Sequence, residues 1–123
     1  MKPNRDLKNS NYVVQDDASC AEAMEAITYN HRGCVVVADK NFLVLGVLSD
    51  GDIRRALVKG VTMVTPAGKI LNTNFISIRY DARETLLDPD HFFQDHPNIN
   101  VVPVLGERNT LVDILVRGGA YGE

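Results

Sequence analysis

Apolar positions along this chain alternate between two periods, and the switches between them predict its elements. Tyr12-Val13-Val14 is a short apolar run that predicts a strand. Cys20, Ala23, Met24 and Ile27 follow at helical spacing behind Ser19-Cys20-Ala21-Glu22, which has the form of a capping box, so a helix is expected from about Ser19 to Tyr29. After Gly33, the run from Cys34 to Ala38 is β-branched and predicts a buried strand, and Asp39-Lys40-Asn41 predicts a turn. Val44, Leu45, Val47 and Leu48 form a second apolar run with Gly46 inside it, where another group can approach the backbone. Ile53, Ala56 and Leu57 then lie on one face of a helix that Gly60 stops, with Asp50 or Asp52 as the expected cap. The first half therefore reads strand, helix, strand, turn, strand, helix.

From Val61 to Thr73 the chain crosses over, broken by Pro66 and Gly68, with Ile70 and Leu71 directed inward. The pattern then begins again. Phe75-Ile76-Ser77-Ile78 predicts a strand, Asp81-Ala82-Arg83-Glu84 a second capping box, and Asn100 to Val104 a strand equivalent to Cys34 to Ala38. Gly106 to Asn109 matches the turn at Asp39, and Thr110 to Leu115 matches Val44 to Leu48. Pro89 interrupts the second copy's first helix, which is expected to stop near Leu87 and restart with Asp88 as cap. Copies of about sixty residues each bury too little surface alone, which implies one pseudo-symmetric α/β (α+β) module.

The chemistry concentrates in Gly46-Val47-Leu48-Ser49-Asp50-Gly51-Asp52-Ile53-Arg54-Arg55. A strand running through a tight turn into a helix brings a hydroxyl, carboxylates and unsatisfied N–H donors to one spot, which suits an anion at the helix N-terminus and sugar hydroxyls at Asp52. The same arrangement occurs in α/β proteins with no ligand, so spacing alone leaves a purely structural reading open.

Composition narrows the classes. The 123 residues are 45% hydrophobic and 24% charged, with a net charge of −3, no basic block and no apolar run long enough for a membrane span. These features argue for a cytoplasmic protein that works on neither nucleic acid nor membrane. Cys20 and Cys34 have no C-x-x-C spacing, and His31, His91 and His96 form no ligand set, so reduced thiols and no metal are expected. Asp50 and Asp52 lack an accompanying nucleophile, general-base histidine or Gly-rich phosphate loop, which argues against an enzyme.

The Gly46 to Asp52 stretch resembles the Gly-hydrophobic-hydrophobic-Thr/Ser-x-x-Asp signature of CBS domains, regulatory repeats of the cystathionine-β-synthase type. The resemblance implies two tandem β-α-β-β-α repeats packed about a pseudo-twofold, here residues 1–60 and residues 61–123, the latter comprising the crossover and a degenerate, truncated copy. It also implies that Ser49 contacts phosphate or ribose and that Asp52 binds the ribose hydroxyls of an adenine nucleotide such as AMP, ADP or ATP. By the same analogy the adenine lies against Gly33, Cys34, Val35 and Val47. Arg54 and Arg55 are candidate phosphate partners, and Asp50 caps or bends the turn. Setting Val35 against Val102 puts Asp113 at the place of Gly46, Val116 at that of Ser49 and Gly119 at that of Asp52, so a single nucleotide site is expected.

Leu48 to Gly60, followed by Ile70-Leu71-Asn72-Thr73-Asn74-Phe75-Ile76, is similar to the CBS pair that precedes a sugar-phosphate nucleotidyltransferase domain. A close relative is the pair that follows the isomerase domain of arabinose-5-phosphate isomerases, where Asp-Gly-Asp-x-Arg-Arg also appears. The Asn-Thr-Asn-Phe-Ile stretch, with Met1 just ahead of the first strand, favours the transferase type. The expected function is regulation of an attached catalytic domain by a bound nucleotide, in a homodimer formed through the CBS helices. The alternative is a dimerisation module with a vestigial site.

Overall fold

The computed structural model describes Leu7 and residues 10–118. Strand β1 (Val13–Gln15) leads through helix α1 (Cys20–Asn30) to β2 (Cys34–Ala38), β3 (Val44–Ser49) and α2 (Asp50–Val58). After the crossover come β4 (Ile78–Arg79), α3 (Arg83–Leu87), α4 (Pro89–Asp95), β5 (Val101–Leu105) and β6 (Leu111–Val116). The result is an α+β module with two three-stranded sheets, ordered β1-β2-β3 and β4-β5-β6.

The two sheets repeat one another in register. Within each, the first two strands are parallel, joined by a helical crossover, and the last two form an antiparallel hairpin. Cys34 pairs with Ser49 and Val101 with Val116, and each hairpin slips register once, at Val37/Ala38 and at Val104/Leu105. Two backbone bonds repeat as well: Asp50 N–H donates to Gly33 O at 3.0 Å and Arg117 N–H to Asn100 O at 2.8 Å. The sheets meet at a bridge between Leu43 and Thr110, equivalent positions of the two copies. A shared core including Val36, Ala38, Val44, Leu105, Leu111 and Ile114 fills the space between them. The inner face of each sheet is thus buried largely against the other, with Leu7 joining the core.

The helices cover the outer faces. Ala23 and Ile27 of α1 and Ile53 of α2 pack on Val35, Val37 and Leu48, joined by Ile70 and Leu71 from the crossover as expected. Phe93 of α4 packs on Ile78 and Val102. Helix α1 starts with the predicted capping box, Ser19 Oγ accepting from Glu22 N–H while the Glu22 carboxylate accepts from Ser19 N–H.

Three local expectations are corrected. Helix α2 is capped by Ser49, not by Asp50 or Asp52, because the β-strand conformation of Ser49 turns its Oγ onto the Asp52 N–H. No capping box forms at Asp81: α3 begins one residue later, with Ala82 at the cap position and no side-chain cap bond. The predicted strand from Phe75 to Ile78 shrinks to Ile78–Arg79, because Phe75 and Ile76 leave the sheet. The break at Pro89 occurs as predicted, with the Asp88 carboxylate accepting from His91 N–H.

Candidate functional site

Ser49 ends β3 and opens α2. Ser49 N–H donates to Asp52 Oδ2 at 3.0 Å, and Asp52 N–H donates to Ser49 Oγ at 3.0 Å, a closed reciprocal cap. Asp52 Oδ1 also accepts from Arg55 Nη2 at 2.8 Å, and Asp50 Oδ2 from Arg54 Nη1 at 3.4 Å. Burial works to raise the Asp52 pKa, but the hydrogen bonds from Ser49 and Arg55 outweigh it and hold the carboxyl below its ordinary value. The first turn of α2 thus carries two carboxylates, each facing an arginine about one turn on.

Gly46 lets the crossover close over this end of the sheet. Asn72 lies along the edge of β3, Val47 N–H donating to its carbonyl at 3.0 Å and Asn72 N–H to Val47 O at 2.8 Å. A Cβ on residue 46 would sit 2.5 Å from Asn72 O and 2.7 Å from Leu71 Cδ1, so glycine is required by close approach, as its place in the strand suggested. The chain then runs past Asn74, Phe75 and Ile76 on its way to the second sheet.

A cleft of about 460 Å³ opens where these parts meet. One wall is Gly33, Cys34, Val47 and Ser49, with Asp50 and Asp52 from α2; a second is Asn72, Asn74, Phe75 and Ile76; a third is Asn98, Ile99, Asn100 and Val101, with Arg32 beside them. Gly33-Cys34 and Asn100-Val101 are equivalent segments of the two copies, so the cleft lies across the junction between repeats. Its mixture of apolar walls and amide groups suits a flat heterocycle carrying a polar tail.

Five of the residues singled out from sequence come together here: Ser49, Asp52, Gly33, Cys34 and Val47. Val35 does not line the cleft, because its side chain is fully buried between the sheet and the two helices. Arg54 and Arg55 do not line it either. Their side chains, 67% and 70% exposed, lie along the outer face of α2 on Asp50 and Asp52, where helical spacing makes them neighbours. Asp50, read from sequence as a turn residue, does line the cleft. Sequence reasoning missed Arg32, the asparagines and Phe75-Ile76. The alignment of Val35 with Val102 held the signal for Asn100 and Val101, since it places them opposite Gly33 and Cys34.

Cys34 is held as a neutral thiol, its pKa pushed up to about 11 by burial and by the Asp52 and Asp50 carboxylates. Cys20 is buried in the core and both cysteines are free. Among the described residues no group of three or more acidic, histidine or cysteine side chains is placed to hold a metal, and no helix is long and apolar enough to cross a membrane.

The second copy has no equivalent first turn among the described residues. Val116 replaces Ser49 opposite Val101, and Arg117 stands where Asp50 stands. Gly119, the counterpart of Asp52, lies outside the described residues. The Arg117 guanidinium folds back, donating to the carbonyls of Phe93, His96 and Ile99 and to Asn100 Oδ1. It thus fastens the end of α4 and the loop that forms the cleft's third wall.

Residues 5–59 match the family model of the CBS domain. The match covers the first repeat, including Ser49 and Asp52. The whole chain has the fold of CBS-pair proteins. It resembles the CBS domain protein PAE2072 of Pyrobaculum aerophilum complexed with AMP, with a TM-score of 0.66, 22% identity and coverage of 95% of this chain and 88% of that one. It also resembles a putative acetoin utilization protein of Vibrio cholerae, with a TM-score of 0.72, 19% identity and coverage of 97% and 82%. Among curated proteins, arabinose 5-phosphate isomerase GutQ of Salmonella typhi is 31% identical over 93 residues, 76% of this chain. The chain spans only 28% of that relative's length. An isomerase among the relatives agrees with the second of the two resemblances drawn from sequence and lends no support to the transferase type.

Proposed function

We propose that this chain is a regulatory CBS-pair module, without catalytic activity of its own, that binds one adenine nucleotide in the cleft at the repeat junction. The observation that carries the reading is the convergence on that cleft of the α2 N-terminus and the equivalent loops Gly33-Cys34 and Asn100-Val101. The base lies between the Cys34-Val47 wall and the Phe75-Ile76 and Ile99-Val101 walls, and the ribose and phosphate end faces Ser49, Asp50 and Asp52. The complex with AMP named for the Pyrobaculum protein supports an adenine ligand of this kind. Residues 1–60 and 61–123 act as two repeats of one unit.

The attached catalytic domain is a sugar-phosphate enzyme, and the match to GutQ favours the isomerase type over the nucleotidyltransferase type. Binding regulates that domain only so far as the nucleotide prefers one arrangement of the helices, which is the coupling free energy between the two sites. The module pairs with a second copy through its helices, where Tyr29 of α1 and Val58 of α2 are 64% and 88% exposed.

A second reading is favoured by one observation: Ser49 and Asp52 already satisfy each other, as a purely structural cap would. On that reading the module dimerises and binds nothing. Thermal unfolding with AMP, ADP, ATP, S-adenosylmethionine and a pyrimidine nucleotide separates the two. A ligand at a hundred times its Kd adds about 2.7 kcal/mol, a rise of several degrees. A purine-selective shift supports the sensor; a folded dimer that responds to no nucleotide leaves the dimerisation module.

A further inference from the structure

We infer that Arg32 is the phosphate-reading residue of the cleft, and that it selects a phosphorylated, anionic nucleotide over a neutral nucleoside or a sulfonium cation. The inference rests on the nucleotide reading above and adds the residue and the ligand charge.

Charge compensation around the cleft points to this arginine. Asp50 and Asp52 are each paired with an arginine on the same helix, and neither of those arginines is among the residues lining the cleft. Arg32 lines the cleft with no ion pair among the described residues, and its Nε is buried without a hydrogen-bond partner. A buried N–H donor left unpaired is rare and calls for an acceptor, and a guanidinium matches phosphate oxygens in both geometry and charge. With the two carboxylates paired on α2, Arg32 is the charged lining residue left without a counter-ion among the described residues, which disfavours a cationic ligand beside it.

The backbone holds Arg32 in place from both repeats. His31 and Gly33 on either side have positive φ, 58° and 80°, so the loop turns sharply at each flank. Arg32 N–H donates to Asn30 Oδ1 at 2.7 Å, and its carbonyl accepts from Asn100 Nδ2 at 3.3 Å. The loop is therefore fixed before any ligand arrives, which keeps the ordering cost on the side chain alone.

The test is calorimetric titration of the full chain with AMP, adenosine, S-adenosylmethionine and inorganic pyrophosphate, repeated on Arg32→Gln and Arg32→Lys. AMP is expected to bind at least about tenfold more tightly than adenosine, with S-adenosylmethionine weakest. Arg32→Gln should remove that preference and leave adenosine affinity unchanged, with Arg32→Lys between. If AMP binds and its preference over adenosine survives in Arg32→Gln, the role of Arg32 is overturned while the nucleotide site stands. Pyrophosphate binding that depends on Arg32, with no adenine compound bound, keeps the anion role and removes the adenine reading; no binding of any probe removes both. Should Arg32→Gln fail to fold, an AMP to adenosine affinity ratio near one in the unaltered chain, or a large ratio unchanged in Arg32→Lys, overturns the proposal, and a large ratio reduced in Arg32→Lys upholds it.

Discussion

Ser49 and Asp52 hold one another through two 3.0 Å hydrogen bonds, each residue's backbone N–H donating to the other's side chain. The pair expected to grip a nucleotide is therefore also the pair that starts α2. A ligand that takes up Asp52 or Ser49 must do so through lone pairs these bonds leave free, and Asp52 still shares its Oδ1 with Arg55. Loss of ligand binding on mutation of Asp52 has to be judged against the accompanying loss of the cap.

Replacing either residue with alanine should cost about 1 kcal/mol, a fall in Tm of roughly 3–6 °C for a chain of this size. The double variant should cost less than the sum, because one closed motif is removed once. Denaturant unfolding of the three variants checks this, and strict additivity would contradict the reciprocal cap.

The depressed Asp52 pKa sets the sign of a pH effect. A carboxyl whose folded pKa lies below its unfolded value contributes stability above the unfolded value, about 4, and loses it as pH falls through the folded one. The Tm advantage of the unaltered chain over Asp52→Asn should be constant from neutral pH to about 5 and shrink below about 4. A gap that widens on acidification would reverse the assignment.

Gly46→Ala should push the crossover off the edge of β3, since the new Cβ would meet Asn72 O at 2.5 Å and Leu71 Cδ1 at 2.7 Å. A loss of about 1–3 kcal/mol is expected, with faster amide exchange at Val47 and Asn72, whose mutual bonds seat the crossover. Unchanged protection at those two amides would show that the edge tolerates a methyl group.

Arg117→Met should act on the second repeat and on one wall of the cleft. It removes the donor shared by the carbonyls of Phe93, His96 and Ile99 at and beyond the end of α4, of which Phe93 and His96 keep a backbone N–H. The expected cost is about 2–3 kcal/mol. Hydrogen exchange should rise across residues 93–101 and stay level in β2 and β3; a uniform rise would mean that the guanidinium supports the whole module instead.

Local signals carried most of the first repeat. The Ser19 box, the β-branched run at Cys34 to Ala38, Gly46 and the apolar face of α2 were each readable from a few adjacent residues, and the structure realises them. The second repeat was harder to read because its signals conflict. Asp81 and Glu84 have the spacing of a box, yet Pro89 leaves a helix of only five residues, too short for its own propensity to decide where it begins. Phe75 and Ile76 have strand composition but line the cleft, because the crossover must leave the first sheet before it can join the second.

By itself the sequence determined the repeated strand and helix order, the equivalence of the two copies and the Ser49 to Asp52 turn, since caps, alternation and glycine positions act over a few residues. Only the tertiary structure decided which side chains share the cleft. Arg32, Asn72, Asn74 and Asn98 to Val101 reach it because the two sheets pack face to face and bring distant loops together. Arg54 and Arg55 are not among its lining residues, each paired instead with a carboxylate about one turn back on α2.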